Sequence, residues 1–429
     1  MRKLAAIGTT ALLLTAGLPT SAWAADPVAP TDVQVAWAGD KVRVTWNDDG
    51  AANEIWTRYP GTGFVETSGR TVAGGANELL IDRSRFMDLD RAVIYVFARK
   101  TTGENGPMSP SVEFDTRIPV YPIIEDANLL ADGSVQLVRW KQPAIEDKNP
   151  NDPLDRPASD TYLGAQIAVP GSPVERMPIP AGSTSFTVPP RPRPAKITLY
   201  AGNEWREASL SKDGSNGPWL ERAVEVGTMT PSFTVPALGS YSQVLDIDST
   251  LKSNLTNIST LVHLQARPNS TAPWKTYGRY DGNVREPFDT HIASLGGRQY
   301  RLWVLPSKQI TQSSIKLTPA ASTTAKSSKT IAWIYTRGII ASKARAGRMV
   351  NLKVNVQPAL DLKAALQKWD GKQWRYVREL ALRKGAVSIQ FRATAPAGTT
   401  RYRVLTPAVK VNGLPVLATS TSYFTLTVY

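Results

Sequence analysis

Short runs in which every second residue is apolar recur along the whole chain, separated by Gly, Pro, Asn and Asp. Val42-Arg43-Val44-Thr45-Trp46, Val135-Gln136-Leu137-Val138-Arg139-Trp140 and Val350-Asn351-Leu352-Lys353-Val354-Asn355-Val356 are three of them. A period of two is what a strand with one buried face requires. Helical periodicity is scarce, and the one segment that leans that way, 360–366, is short. Asp370-Gly371 between two alternating runs predicts a hairpin. The segment 423–429 alternates to its end and reads as the last strand of a sandwich. A membrane barrel is the other possibility, but upstream segments lack the evenly repeated pattern a barrel needs. The pattern predicts an all-β chain, a tandem array of small β-sandwiches.

Within 25–117, Trp46 ends a strand and Ile55-Trp56-Thr57-Arg58-Tyr59 fits the next. Leu89 then stands six residues before Tyr95, and 106–114 supplies a final strand. This order resembles a fibronectin type III module. The resemblance implies that Trp46 is a core tryptophan and that Leu89 and Tyr95 form a tyrosine corner, whose hydroxyl bonds backbone. Arg91 departs from it, standing where such modules usually have proline. Residues 118–227 repeat the theme loosely, which makes Trp140 the equivalent of Trp46. Two insertions, 143–160 and the proline-rich 189–194, are expected to be loops, because proline is excluded from central strand positions.

Residues 228–317 and 331–429 resemble each other. Trp274 precedes Tyr300 by 26 residues and Trp374 precedes Tyr402 by 28, with Leu-Gln before each tryptophan and Arg after each tyrosine. A repeat of that length is a domain repeat, with Tyr402 a structural position of the last one. The pattern is similar to the immunoglobulin-like domains of secreted actinobacterial proteins, which implies a secreted bacterial chain. Between the two repeats, 318–330 is rich in Ala, Ser, Thr and Lys and reads as a flexible linker.

The N-terminus agrees with secretion. Arg2 and Lys3 precede an apolar run over 4–18, and Ala22-Trp23-Ala24 offers small residues for signal-peptide cleavage after Ala24. Pro19 cuts the run too short for a membrane anchor, and no other segment is long and apolar enough for a spanning helix. The expected location is extracellular, with non-covalent attachment to the cell envelope. The chain has no cysteine, so disulfides, zinc-thiolate sites and thiol nucleophiles are excluded together.

Charge is unevenly spread. Basic against acidic residues number 10 to 14 in 26–117, 11 to 14 in 118–227, 9 to 5 in 228–317 and 18 to 3 in 318–429. The last domain therefore either seeks a polyanion or, with its aromatics in the core, is only kept soluble by its charge. Around its predicted hairpin, Lys372, Arg375 and Arg378 interleave with Trp369, Trp374 and Tyr376. Cations attract an acidic polymer, and aromatic faces can stack on sugar rings. Alternation places Trp374 and Tyr376 on one face and Arg375 and Val377 on the other.

Other chemistry finds little support. The only histidines, His263 and His291, lie far from any nucleophile elbow and read as strand or surface residues. Asp147 to Asp155 places oxygen side chains at alternate positions, as a calcium loop does. It lacks the turn glycine, and Ala158 stands at the bidentate glutamate position, so a solvated acidic loop is the expectation and no metal is assigned. No nucleotide motif is present, and no cofactor is expected. The sequence points to a non-enzymatic binding or scaffold protein. Its expected partner is an anionic cell-wall polymer or polysaccharide, or a secreted protein; nucleic acid and membrane insertion are not expected. The alternative is a secreted polysaccharide hydrolase, or its accessory subunit, with an unrecognised carboxylate pair.

Overall fold

A computed structural model describes residues 26–142, 149–155, 162–208, 222–283, 288–394 and 396–429. The expected signal segment 1–24 lies outside the described residues. Among them the chain forms strands and one short 3-10 turn, Arg83–Arg85, and no α-helix. It divides into two compact units. The first holds 26–120 of the described residues with 149–155, Tyr162 and 201–208, and the second holds the remainder.

In the first unit, Thr31–Ala38, Lys41–Asn47 and Glu78–Asp82 make a three-stranded sheet. It faces a four-stranded sheet ordered Phe64–Arg70, Asn53–Tyr59, Val93–Arg99 and Asn105–Pro110. First, second and fifth strands against fourth, third, sixth and seventh is the arrangement of a fibronectin III-like sandwich. Val42, Val44 and Trp46 alternate inward to meet Ile55, Ile94 and Val96 across the core. Trp46 is buried as expected, and its indole N–H donates to Asn53 Oδ1 at 3.1 Å.

The tyrosine assignment needs correction. Ile94, Val96 and Ala98 take the inward positions of their strand, so Tyr95 falls on the opposite face, half-buried. The tyrosine that pins backbone is Tyr59, wholly buried, whose hydroxyl accepts from the Met87 N–H at 2.9 Å. Leu89 only packs against the core, half-buried.

The first core also takes in chain from beyond residue 118. Leu154 and Trp205 are buried in it, and the Trp37 indole donates to the Leu154 carbonyl at 2.7 Å. The stretch 149–155, expected as a solvated acidic loop of the next domain, is instead packed into this unit.

The same layout of three strands facing four or more recurs three times in the second unit. The first recurrence pairs Ile123–Leu129, Val135–Lys141 and Phe186–Val188 in one sheet. Glu175–Ile179, Tyr162–Ala168, Ala195–Gly202 and Ala223–Val226 form the other. Trp140 is not enclosed like Trp46. It is half-buried, at the end of a strand whose register shifts twice against its neighbour, and it packs on the core from there.

The domain boundaries also need correction. Ser307–Ile310 and Ser314–Thr318 leave the third sandwich and extend the sheet of the second, Val224 pairing with Ile315 in parallel. The expected linker 318–330 is not open chain, because Lys326–Ile331 pairs with Arg298–Val304 on one side and Leu238–Ser240 on the other. Its Ser and Thr residues alternate with lysines as a strand needs: Ser328 and Thr330 are buried, Lys329 exposed. In the last sandwich the hairpin Val409–Val411 and Leu414–Val416 likewise reaches back. The Gly297 N–H donates to the Pro415 carbonyl and the Leu417 N–H to the Thr330 carbonyl, both at 2.8 Å.

Candidate functional site

The last sandwich presents an outward sheet face built from Leu362–Trp369, Trp374–Leu382 and Gly398–Thr406. The strand Trp374–Leu382 lies at the sheet's edge. Trp369 pairs with Trp374, and Gln367 with both Tyr376 and Arg403. Cross-strand partners share a face. Leu366, Tyr402 and Val404 point into the core, so Gln367, Trp369, Trp374, Tyr376, Arg401 and Arg403 point out.

These side chains touch. The Trp369 and Trp374 rings are tilted at 5.4 Å, and the Arg403 guanidinium lies 4.5 Å over the Trp374 ring. Arg403 Nε donates to Gln367 Oε1 at 2.8 Å, which orients the guanidinium. Arg401 lies 4.9 Å over Tyr423. Both tryptophans are half-buried by these neighbours, whereas Tyr376 is 64% exposed.

The cations named from sequence lie elsewhere around the hairpin. Lys372 is exposed on the turn, where Gly371 takes φ +98°. Asp370 Oδ1 accepts from the Lys372 and Gln373 amides at 2.8 Å, and Arg375 Nε is 2.6 Å from Asp370 Oδ2. The Arg375 hydrogen bond and those two amides hold the Asp370 carboxyl at about 2. Simple alternation would put Arg378 beside Tyr376. A register shift between Leu366 and Gln367 makes Val377 an extra residue, so Arg378 pairs with core-facing Leu366. Its Nη1 reaches the Gln390 carbonyl of the facing sheet at 3.5 Å. The structure thus brings Trp369, Trp374 and Tyr376 together and sets Arg375 and Arg378 on the other side. Sequence reasoning missed Arg401 and Arg403 on the aromatic face. Each flanks the buried Tyr402, which was signal enough to place them outward.

The third sandwich carries the counterpart. Arg267 and Arg301 lie 4.3 and 4.5 Å over the Trp274 ring, and Arg301 lies 5.2 Å over Trp303. Arg301 Nε donates to Gln265 Oε1 at 2.8 Å, as Arg403 does to Gln367. Burial, then the neighbouring Arg267 charge, lowers the Arg301 pKa. His263 lies on the strand of Gln265 and Arg267, its pKa lowered by burial and by Arg279. His291 is exposed, with Nδ1 3.3 Å from an Asp246 carboxylate oxygen.

In the first unit, carboxylate oxygens of Asp115, Asp152 and Asp155 lie within 4.8 Å of one another. Backbone satisfies much of this group. Asp152 accepts from the amides of Asp115, Leu154 and Asp155, and Asp155 from that of Asp152. Burial, with a contribution from the Asp155 charge, pushes Asp152 up to about 6.

No family model matches the chain, and no curated protein matches it. Solved structures align with it along most of its length. The native conformation of E. coli α2-macroglobulin aligns over 94% of this chain at 7% identity, with TM-score 0.20. The chain spans only 40% of that protein. Chicken CNTN1 FN1–FN3 domains align over 93% of this chain and 99% of theirs at 10% identity, with TM-score 0.17. A bacterial ice-binding adhesin, from a structure concerned with host cell surface retention, aligns over 90% of both chains at 8% identity, with TM-score 0.19. At such scores these likenesses carry no functional argument. The sheets themselves establish the tandem β-sandwich fold.

Proposed function

We propose that the protein is a secreted, non-enzymatic binding or scaffold protein that holds an anionic cell-envelope polysaccharide through its last sandwich. One observation carries the reading: residues 318–429 contain three acids, and each already has a basic partner. Asp361 pairs with Arg383 at 3.1 Å, Asp370 with Arg375 at 2.6 Å and Glu379 with Lys363 at 3.5 Å. The other cations of this basic segment have no acid of their own to answer them, and a polyanion supplies what is missing. Tyr376, exposed beside the Trp369–Trp374 pair, offers a sugar ring a stacking face.

Binding to immobilised polygalacturonate tests this. The full chain binds at low salt and is released as salt rises, since exposed charges are screened over about 8 Å at physiological ionic strength. Reversing Lys372, Arg378 and Arg401, which have no acidic partner among the described residues, to glutamate weakens binding strongly, and Tyr376→Ala weakens it without changing the salt dependence. Undiminished binding by the triple variant overturns the reading.

A further inference from the structure

We infer that the third sandwich holds a second anion site, built on Trp274 by Arg267 and Arg301, that takes carboxylates of an acidic polysaccharide. The inference shares only its ligand class with the function proposed above; its residues and its observation are separate.

Two guanidiniums over one ring repel each other; the Arg301 pKa is lowered first by burial and then by the Arg267 charge. Such pairs are ordinarily relieved by a carboxylate between them. Among the described residues neither Arg267 nor Arg301 has an acidic group within 4.0 Å. Each is held by its Nε alone, Arg267 to Gln299 Oε1 at 2.9 Å and Arg301 to Gln265 Oε1 at 2.8 Å. The Nη amino groups are left without a protein acceptor among the described residues. Fixed Nε atoms and the contact with the Trp274 ring pre-orient both forks, so little side-chain entropy remains to be lost when an anion arrives.

The occupant follows from the pattern. Arg267, Trp274, Arg301 and Trp303 alternate cation and aromatic along the outward face, and Gln265 and Thr276 lie between them. A planar carboxylate fits a guanidinium fork with two parallel hydrogen bonds. Uronic-acid chains alternate such carboxylates with the apolar faces of sugar rings, which match the indole edges. Polyphosphate offers the charge without the ring faces. The same Gln–Arg–Trp grouping recurs at Gln367, Arg403 and Trp374, so one linear polymer can engage both sandwiches, and avidity then exceeds either site alone.

The test uses the full chain and polygalacturonate, with polyphosphate and single-stranded DNA as competing probes. Arg267→Gln with Arg301→Gln is expected to lower polygalacturonate affinity at least tenfold and to flatten its dependence on salt. Arg267→Lys with Arg301→Lys retains the salt dependence but loses affinity, because an ammonium has no fork. This second variant guards against misfolding, which thermal melts of both variants also monitor. Unchanged affinity in the glutamine pair overturns the site and leaves the last-sandwich reading standing. Loss in the glutamine pair, with none on reversal of Lys372, Arg378 and Arg401, upholds the site and overturns that reading. Tighter binding of polyphosphate or DNA than of polygalacturonate overturns the carboxylate assignment.

Discussion

Trp205 lies nearly parallel to Phe114, with planes 13° apart and ring centroids 5.9 Å apart. Trp37 and Phe86 close around the same indole at 5.0 and 5.3 Å. The 201–208 stretch is thereby anchored in the first core. Arg206 adds a hydrogen bond to the Ser84 carbonyl at 2.9 Å and Arg83 one to the Glu204 carbonyl at 3.0 Å. Truncating Trp205 to alanine removes a buried ring and leaves a cavity among three aromatics, a loss of about 3–5 kcal/mol. The denaturant midpoint of the first unit, followed by tryptophan fluorescence, falls accordingly.

Tyr59 and Tyr95 separate cleanly. Tyr59→Phe removes the acceptor of the part-buried Met87 N–H and costs about 0.5–1.5 kcal/mol. Tyr95→Phe, on the half-buried outer face, leaves the midpoint unchanged. Equal effects from the two would contradict the assignment of Tyr59 as the pinning tyrosine.

Acidification stabilises the first unit through Asp152. Its folded value of about 6 lies above its ordinary 3.8. Between those values the folded chain binds more protons than the unfolded one, so this group's contribution to stability grows as pH falls from 7 towards 4. Asp370 acts oppositely and lower down. With its carboxyl held at about 2, the stability it lends the last sandwich is present above its ordinary 3.8 and is lost as pH falls through 2. Urea titrations at pH 7 and pH 5 check the first effect, and Asp152→Asn removes it.

Gly296 decides whether the 409–416 hairpin can dock. It has φ +138°, and an added Cβ would stand 2.4 Å from Leu414 Cβ. Gly296→Ala therefore pushes the hairpin away. Amide exchange at Gly297 and Leu417 accelerates, while exchange at the Thr290 core strand does not.

Limited proteolysis reads the boundary at 318–330. The Lys329 amide donates to the Ala237 carbonyl at 2.9 Å, within a strand paired on both sides. Trypsin spares Lys326 and Lys329 in the native protein. Early cleavage at either would restore the open linker that composition suggested.

The sequence by itself determined the strands and the sandwiches, because alternation is a local property: Val42, Val44 and Trp46 can be buried together only in an extended chain with one face inward. Reading Asp370-Gly371 as a turn rested on the same local chemistry, and so did placing Trp374 and Tyr376 on a common face. Tertiary structure decided what depends on partners distant in sequence. One inserted residue, Val377, carried Arg378 away from the aromatic face, and nothing local distinguishes a bulge from regular strand. Tyr95 and Tyr59 both sit in alternating runs, and the face each strand turned inward, together with the approach of Met87 to Tyr59, chose between them. Leu154 and Trp205 look like loop residues until the first core closes over them. Lys326–Ile331 has the composition of a linker, yet two neighbouring strands satisfy its backbone. Pairing of this kind is a long-range event, and it outweighs the weak local preference of serine, threonine and lysine.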